Sequence, residues 1–464
     1  MKKHLILFLM IVLSISQSNA QNFPNVLSNG PLKVSENNRF LVHQNGKPFF
    51  WLGDTVWELF HRLNREQAEL YFKRRAEQGF TVVQAVALAE FDGLHVPNAY
   101  GEIPLKFDDP NQPNEKYFQH VDFIIDKAAE YGIYVAFLPT WGDKVFKDNW
   151  GKGPEIFTPD NAKPYGKWLG DRYKDKKNLI WILGGDRTPR AGSKDVEIWR
   201  ALASGVAEGI GGNEKGLMSF HPQANEKGSA EWFHNDNWLD FNMFQNGHCR
   251  DQAIYDKNQG VYGLTPIKPI IDGEPIYEDH PVCFNANDLG ISNAYDVRKY
   301  AYLDLFSGAF GHTYGCHDMW QLYSPYRDAV NNPRIYWQEA MELPGAKQMA
   351  FVRKLIESRP MLDRVPDQSL VVENNYFPAD RIQATRGKDY AFVYTTSGKT
   401  FTVNLGKITG SQLVATWFDP RSGKTTEAGK VENSGTKAFT PPTQGQGQDW
   451  ILILDDASKK YQKP

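Results

Sequence analysis

Residues 181–186 read WILGGD, and residues 269–274 read PIIDGE. Each is a short apolar run that ends on glycine and then a carboxylate, which is typical of a buried parallel strand whose C-terminal end opens into a site. In an α/β barrel the chemistry sits at the C-terminal ends of the strands. The two runs therefore predict a barrel enzyme in which Asp186 and Glu274 flank the mouth.

Length and composition limit the class of protein. The chain has 464 residues, enough for a barrel of ~250 residues and a smaller module. Its formal net charge of -3 excludes a nucleic-acid partner, because a phosphate-binding surface needs an excess of Lys and Arg. The 13 Trp residues favour a carbohydrate site modestly, since indole faces stack on the apolar faces of sugar rings.

The N-terminus has the pattern of an export signal. Two lysines precede an apolar run over residues 5–15, and small residues precede a cleavage point between Ala20 and Gln21. We therefore expect residues 1–20 to be a signal peptide and the mature protein to be periplasmic or extracellular. The apolar run is too short to span a bilayer, and no cysteine follows the cleavage point to carry a lipid. We expect no membrane anchor.

Two patterns follow in order along the mature chain. Residues 21–48 predict an N-terminal β element, with Asn45-Gly46 as a tight turn. Residues 49–364 alternate between apolar runs and amphipathic helices, which predicts an α/β fold, a (β/α)8 TIM barrel. A doubly wound sheet also alternates, but no glycine-rich phosphate turn follows an early strand. The predicted barrel strands are residues 49–54, 81–88, 133–139, 179–183, 217–220, 241–244, 269–271 and 309–314.

The C-terminal part has a different texture. From residue 365 to 464 short alternating runs are separated by turn clusters such as Pro420 to Gly423, and no amphipathic helix intervenes. Strands at this spacing predict a C-terminal antiparallel β-sandwich.

Polar and aromatic side chains follow the predicted strand ends. Such a rim suits a ring-shaped, polyhydroxylated ligand, so we expect an oligosaccharide or polysaccharide as substrate. The rim also includes Glu90 and Asp92, in the loop after strand two. Several members also have a structural interpretation, for example Asp54 as a helix cap and Asp143 as the cap of a loop. The candidates for substrate binding are Asp54, Trp57, Gln84, Trp141, Asp143, Arg187, His221, Gln245, His248, Tyr277, His312 and Tyr314.

Asp186 and Glu274 form the predicted catalytic pair. Strands four and seven lie on opposite sides of the mouth, so their carboxyl groups can flank one glycosidic bond. A separation of ~5–5.5 Å gives a nucleophile and an acid/base, whereas ~6.5–9.5 Å leaves room for a water and gives inversion. The acid must hold its proton near neutral pH, which requires a pKa raised by burial or by the other carboxylate.

Other chemistries remain as alternatives. His221, His248 and His312 could assemble into a metal site in space, although no H-E-x-x-H or H-x-H pattern is present. A non-catalytic carbohydrate-binding protein on the same scaffold is also open. Lys268 precedes strand seven at the wrong end for a Schiff-base enzyme, and the chain lacks a G-x-S-x-G elbow. We expect no metal and no cofactor.

The three cysteines, Cys249, Cys283 and Cys316, are an odd number without a C-x-x-C spacing. Buried thiols are the simplest interpretation, because free cysteine often behaves as a small hydrophobe. One disulfide among the three stays open.

Four motifs together resemble the apiosidase-like glycoside hydrolases, family 140. They are FWLGDTVW at residues 50–57, ILGGD at 182–186, FHP at 220–222 and DGEPIYE at 272–278. The resemblance runs from about residue 30 to the C-terminus and includes a trailing domain that carries a collagen-binding label in related proteins.

The resemblance implies an activity and two roles. It implies release of apiose-linked units from rhamnogalacturonan II, a plant pectin, with Asp186 as acid/base and Glu274 as nucleophile of a retaining hydrolase. In many related barrels the acid/base is a glutamate that follows asparagine, whereas here Gly185 precedes Asp186. The shorter side chain leaves the carboxyl separation, and with it retention, open.

Overall fold

The computed structural model describes residues 26–373 and 377–464. The predicted signal peptide, residues 1–20, lies outside the described residues. Within the described ranges, no helix combines the length and the apolar character that a bilayer crossing requires.

A small antiparallel sheet opens the described chain. It has the order β1-β2-β3, and the Gly46 amide donates to the His43 carbonyl at 2.8 Å to close the predicted turn. The ring of Phe49 contacts Tyr134, at the N-terminal end of a barrel strand, with 5.1 Å between centroids. The sheet therefore covers the end of the barrel opposite to the strand ends that carry Asp186 and Glu274. Its strands are β1 Leu32–Val34, β2 Leu41–His43 and β3 Pro48–Phe49.

Eight parallel strands in the described part of the chain form the predicted (β/α)8 barrel. Six pair in the order β11-β4-β5-β6-β7-β8, and β10 pairs with β9. Backbone hydrogen bonds close both seams: the Asp240 amide donates to Met218 at 2.9 Å, and the Phe310 amide donates to Ile270 at 3.0 Å. The strands are β4 Leu52–Thr55, β5 Val82–Val86, β6 Tyr134–Leu138, β7 Leu179–Gly184, β8 Met218–His221, β9 Asn242–Gln245, β10 Ile270–Glu274 and β11 His312–Tyr314.

Helices surround the strands and begin at recognisable caps. Asn64 accepts from the Gln67 amide and starts a helix as the sequence predicts, because an Asn side chain satisfies an amide that the first turn leaves free. The helices are α1 Leu59–Arg62, α2 Arg65–Glu77, α3 Glu115–Glu130, α4 Pro159–Tyr173, α5 Asp195–Ile210, α6 Ala230–Phe233, α7 Ile254–Tyr262, α8 Ala286–Leu289, α9 Ala294–Phe306, α10 His317–Trp320, α11 Trp337–Ala340 and α12 Pro344–Glu357.

An antiparallel domain follows, as predicted. Six strands pair in the order β12-β13-β14-β19-β16-β17, and β15 pairs with β18. The domain is fixed to the barrel by a buried ion pair in which Arg298 donates to both oxygens of Asp449 at 2.6 and 2.8 Å. The strands are β12 Val365–Pro366, β13 Ile382–Arg386, β14 Tyr390–Thr395, β15 Phe401–Asn404, β16 Gln412–Asp419, β17 Lys424–Glu432, β18 Thr436–Phe439 and β19 Trp450–Asp456.

Candidate active site

A cavity of about 540 Å³ opens at the C-terminal ends of the barrel strands, and both Asp186 and Glu274 line it. Its volume is within the range of pockets that bind small molecules, ~300–1,000 Å³. Seven aromatic side chains line it, which suits the apolar faces of a sugar. These rings are Trp57, Phe91, Trp141, Trp150, Tyr277, Phe284 and Trp320.

A β-bulge aims Glu274 into the cavity. Asp272 pairs with Phe244 and Glu274 pairs with the next residue, Gln245, so Gly273 is the extra residue of the bulge. A Cβ on Gly273 would lie 2.6 Å from the sulfur of Met243, which explains why glycine occupies this position. Bulges commonly re-aim a side chain beside an active site.

Polar contacts hold the Glu274 carboxylate in its ionised form. Gln245 Nε2 donates to Oε2 at 3.0 Å, His221 Nε2 lies 3.1 Å from the same oxygen, and His248 Nε2 lies 3.5 Å from Oε1. Burial alone raises the pKa of Glu274, but the hydrogen bonding and charge of His221 and His248 outweigh it and lower the pKa well below its usual range. Glu274 is therefore a carboxylate without a proton at any ordinary pH.

Asp186 lies beyond β7 on a turn that only glycine can make. Gly184 and Gly185 have φ values of +86° and +127°, in the left-handed region that L side chains avoid. A Cβ on Gly185 would also lie 2.7 Å from the Trp141 ring. Asp186 itself follows with a φ of +47°. Arg187 Nη1 donates to the Asp186 carbonyl at 2.6 Å. The turn delivers the Asp186 carboxyl to the cavity beside Trp141.

The two carboxyl groups have opposite pKa shifts. Burial, followed by the negative charge of Glu274, raises the pKa of Asp186 to about 6, while the pKa of Glu274 is lowered. A pair of acids whose environments separate their pKa values is the pattern of an acid and a base with divided roles. The arrangement can donate a proton from Asp186 and attack with Glu274.

Five of the twelve predicted substrate-binding residues line this cavity. Trp57, Trp141, Gln245, His248 and Tyr277 line it directly.

Four others stand immediately behind the cavity wall. Gln84 Nε2 donates to the Gly273 carbonyl at 2.7 Å and supports the bulge. Asp143 accepts from Lys144 Nζ at 2.8 Å and from the Gly153 amide at 2.9 Å, which anchors the loop that carries Trp150. His221 contacts Glu274, as described above, and the Arg187 guanidinium lies 4.6 Å from the centre of the Trp150 ring.

Three predicted residues lie outside the cavity, and their assignment to substrate binding is corrected. Asp54 accepts from Arg75 Nε at 2.7 Å and from Tyr71 at 2.6 Å. His312 Nδ1 lies 3.0 Å from Asp304 Oδ2, and Tyr314 donates to Glu278 at 2.6 Å. Successive strand residues face opposite sides, and these three side chains face the surrounding elements.

Asp54 and Arg75 form an ion pair with no exposed side-chain surface, and we expect it to stabilise the fold without affecting catalysis. Arg75→Met should lower the free energy of unfolding by about 3–5 kcal/mol, because it leaves a buried carboxylate without its partner. Urea denaturation measures this change. Arg74→Met, which removes a more exposed cation from the same helix, should cost about 1 kcal/mol or less. A smaller loss in Arg75→Met than in Arg74→Met, or a changed KM in the folded variant, would contradict the structural role.

The cavity also contains residues that the sequence interpretation did not assign to it. The sequence places Glu90 in the polar rim, in the loop after strand two, without assigning it a role, and it does not mark Trp150, His280, Phe284 or Trp320. All five line the cavity. They lie beyond the strand ends, where no regular alternation of residues shows which side chain points inward.

A disulfide between Cys249 and Cys283 answers the question that the odd cysteine count left open. It joins the loops that follow β9 and β10, and its neighbours His248 and Phe284 both line the cavity. Cys316 is a buried free thiol. The disulfide therefore ties together two loops of the cavity wall.

The histidines that could have formed a metal site do not converge. His221 and His248 approach Glu274, whereas His312 approaches Asp304. Among the residues that the structure describes, no group of three or more His, Cys, Asp or Glu side chains is arranged to hold a metal ion.

Comparison with known proteins identifies both parts of the chain. A family model described as "Apiosidase-like, catalytic domain" matches residues 35–363, and one described as "Putative collagen-binding domain of a collagenase" matches residues 365–455. The resemblance to apiosidase-like glycoside hydrolases and their trailing domain, drawn from the four sequence motifs, is confirmed. No curated protein matches the sequence.

Solved structures agree with the family models. One of a glycoside hydrolase is 36% identical, with a TM-score of 0.86, and the match covers 95% of this chain and 100% of the other. Another, a glycoside hydrolase family 5 protein from Bacteroides vulgatus ATCC 8482, is also 36% identical, with a TM-score of 0.87, covering 96% of this chain and 97% of the other.

Proposed function

The chain belongs to the apiosidase-like glycoside hydrolases, and from this we propose that it is an exported, retaining hydrolase that cleaves apiosyl linkages in side chains of the plant pectin rhamnogalacturonan II. The single observation that carries the reaction is the opposed shift of two carboxyl pKa values in one aromatic cavity.

The proposed reaction has two steps. In the first, Glu274 attacks the anomeric carbon while Asp186 gives its proton to the leaving oxygen, so the glycosidic bond breaks as the glycosyl-enzyme bond forms. In the second, Asp186, now a carboxylate, takes a proton from water, and the water oxygen displaces Glu274 from the anomeric carbon. Each carboxyl group ends the cycle in the state in which it began.

The position of Gln245 supports retention. Its amide nitrogen donates to Glu274 and also acts as a hydrogen-bond donor that lowers the pKa of Asp186. One nitrogen that reaches both carboxyl groups limits their nearest oxygens to a separation of about 6–7 Å. This upper limit includes the ~5–5.5 Å of retaining enzymes and reaches only the lowest part of the ~6.5–9.5 Å range of inverting ones, so it favours direct attack by Glu274.

The cavity wall supports a sugar substrate. Trp57 and Trp141 lie 5.0 Å apart at their centroids, and each contacts the His221 ring, so the wall beside the carboxyl pair is rigid and apolar. The polar groups of Gln245, His248 and Tyr277 provide hydrogen bonds for sugar hydroxyls. The disulfide between Cys249 and Cys283 supports export, because such bonds persist in oxidising compartments.

The substrate proposal is tested by incubating the protein with rhamnogalacturonan II, with other pectic oligosaccharides and with glycans that contain no apiose. We expect products that carry apiose at the newly formed reducing end, from rhamnogalacturonan II alone. Mass spectrometry identifies the products, and NMR of the first-formed anomer reports retention. Turnover confined to glycans without apiose would contradict the proposed linkage and leave the hydrolase assignment intact.

A further inference from the structure

Glu90 lies in the loop after β5 and lines the same cavity as Asp186 and Glu274. Buried groups fix the backbone on both sides of it. Lys144 Nζ donates to the carbonyl of Ala89 at 2.8 Å, and the Phe91 amide donates to Glu58 Oε1 at 3.3 Å. The backbone of Glu90 is therefore held at the cavity wall, which its side chain lines.

The Glu90 side chain has no hydrogen bond or ion pair within residues 26–373 and 377–464, and the buried cations near it are paired with other carboxylates. Arg187 lies 3.4 Å from Asp186 Oδ2, and Lys144 pairs with Asp143. Arg62 and His61 pair with Glu58, and Lys152 stands at the exposed rim. A carboxyl that faces a cavity without a protein partner is available to a ligand.

The charges around Glu90 favour its neutral form. Burial has the largest effect, followed by the negative charges of Asp186 and Asp143, and together with a smaller contribution from Glu58 they outweigh Arg187 and raise the pKa of Glu90 to about 8. A protonated carboxyl has one O–H donor and one carbonyl acceptor. It can bond to a sugar hydroxyl without adding a third negative charge to the site.

We propose that Glu90 is a third functional carboxyl of this active site, which donates a hydrogen bond to the substrate on the Asp186 side of the cavity. The inference rests on the proposed roles of Asp186 and Glu274. It goes beyond them because catalysis by the pair alone does not need Glu90. Ionisation of Glu90 would remove the donor and add a repelling charge next to Asp186, so activity requires the neutral form.

The proton on Glu90 is tested without a substrate, by infrared difference spectra of the wild type and Glu90→Gln at pH 7. We expect a protonated-carboxyl band that the variant lacks, because the amide cannot carry that proton. Equal bands in the two proteins would overturn the proposal. This measurement decides the state of Glu90 even if no glycan is turned over, an outcome that would count against the proposed function instead.

The contact is tested by the pH dependence of kcat/KM on the glycan that the wild type cleaves. We expect its logarithm to fall with a slope of about one above pH 6, as Asp186 loses its proton, and of about two above pH 8, as Glu90 follows. In Glu90→Gln the slope should stay at about one above pH 8. Glu90→Ala should lower kcat/KM at pH 6 by about 10- to 100-fold, more than Glu90→Gln, because the amide still donates.

Asp92→Asn is the matched control, since Asp92 lies in the same loop and pairs with His95 at the surface. It should keep the wild-type profile. A wild-type slope of about one throughout the alkaline range, or the same profile in the wild type and Glu90→Gln, would overturn the proposal.

Discussion

Glu274→Gln should lower kcat by at least about four orders of magnitude, the scale of losses on removing a catalytic nucleophile. The amide has nearly the same shape but cannot form the covalent bond to the anomeric carbon. Gln245, His221 and His248 surround the carboxylate and keep it ionised, so the loss reflects chemistry and not a missing contact with sugar. Steady-state kinetics on the glycan that the wild type cleaves measure it.

Rescue distinguishes a nucleophile from a structural acid. Glu274→Ala leaves room for azide, which should attack the anomeric carbon from the emptied side while Asp186 protonates the leaving oxygen. The product should be a glycosyl azide of inverted configuration. Glu226→Gln, which changes an exposed glutamate, should keep wild-type activity and serves as the control. A kcat of Glu274→Gln close to that of the wild type, with the fold intact by circular dichroism, would contradict the assignment of Glu274 as nucleophile.

The fold could be predicted from the sequence because a strand that is buried on both faces is apolar at nearly every position. Runs such as residues 179–183 are apolar at every position, and the structure buries the whole of β7, as expected for a strand between a packed barrel core and a helix layer. The polar β17 has no such pattern, since most of its residues are exposed and it has no continuous apolar face.

The site was less predictable because a strand end does not reveal which way a side chain points. Asp272 and Glu274 are two apart and would share a face in a regular strand. The bulge at Gly273 breaks that parity, so Asp272 accepts from Asn246 with Asp304 of α9 nearby, and Glu274 faces the cavity. Asp54, His312 and Tyr314 lie in regular strands, where alternation turns their side chains toward the surrounding elements, and the sequence does not mark that face.

Loops account for the remaining difference. Glu90 and Phe284 reach the cavity from segments whose conformation depends on distant partners, such as Lys144 for the first and the Cys249–Cys283 disulfide for the second. The spacing of residues in the sequence does not predict those partners. These residues can therefore be assigned to the site only from the folded structure.

Asp186→Asn should lower kcat/KM on the natural glycan by about two to four orders of magnitude, the usual contribution of a general acid/base. The loss should shrink on an aryl glycoside whose leaving group departs without a proton, because the first step then needs no acid. Asp160→Asn changes an exposed acid in the first turn of α4. It should leave kcat/KM unchanged on both the natural glycan and the aryl glycoside. Equal losses in Asp186→Asn on the two substrates would contradict the role of Asp186 as acid.

The pH dependence of kcat/KM tests the same role of Asp186. The proposed reaction needs Glu274 ionised and Asp186 protonated. The pKa of Glu274 is lowered well below its usual range and that of Asp186 is raised to about 6, so wild-type kcat/KM should be high in mild acid and fall as pH rises through about 6. In Asp186→Asn this fall should disappear, because the amide does not titrate there.

Stereochemistry then separates the two carboxyl roles in a way that rates cannot. Azide added to Asp186→Ala should intercept the glycosyl-enzyme from the side that water normally uses, giving a glycosyl azide of retained configuration. The same anion in Glu274→Ala should give the inverted product. Opposite outcomes at the two positions follow only if Glu274 forms the covalent bond and Asp186 handles the proton. If the shorter aspartate instead left room for a water, the wild type itself would release an inverted sugar and neither variant would yield a retained azide.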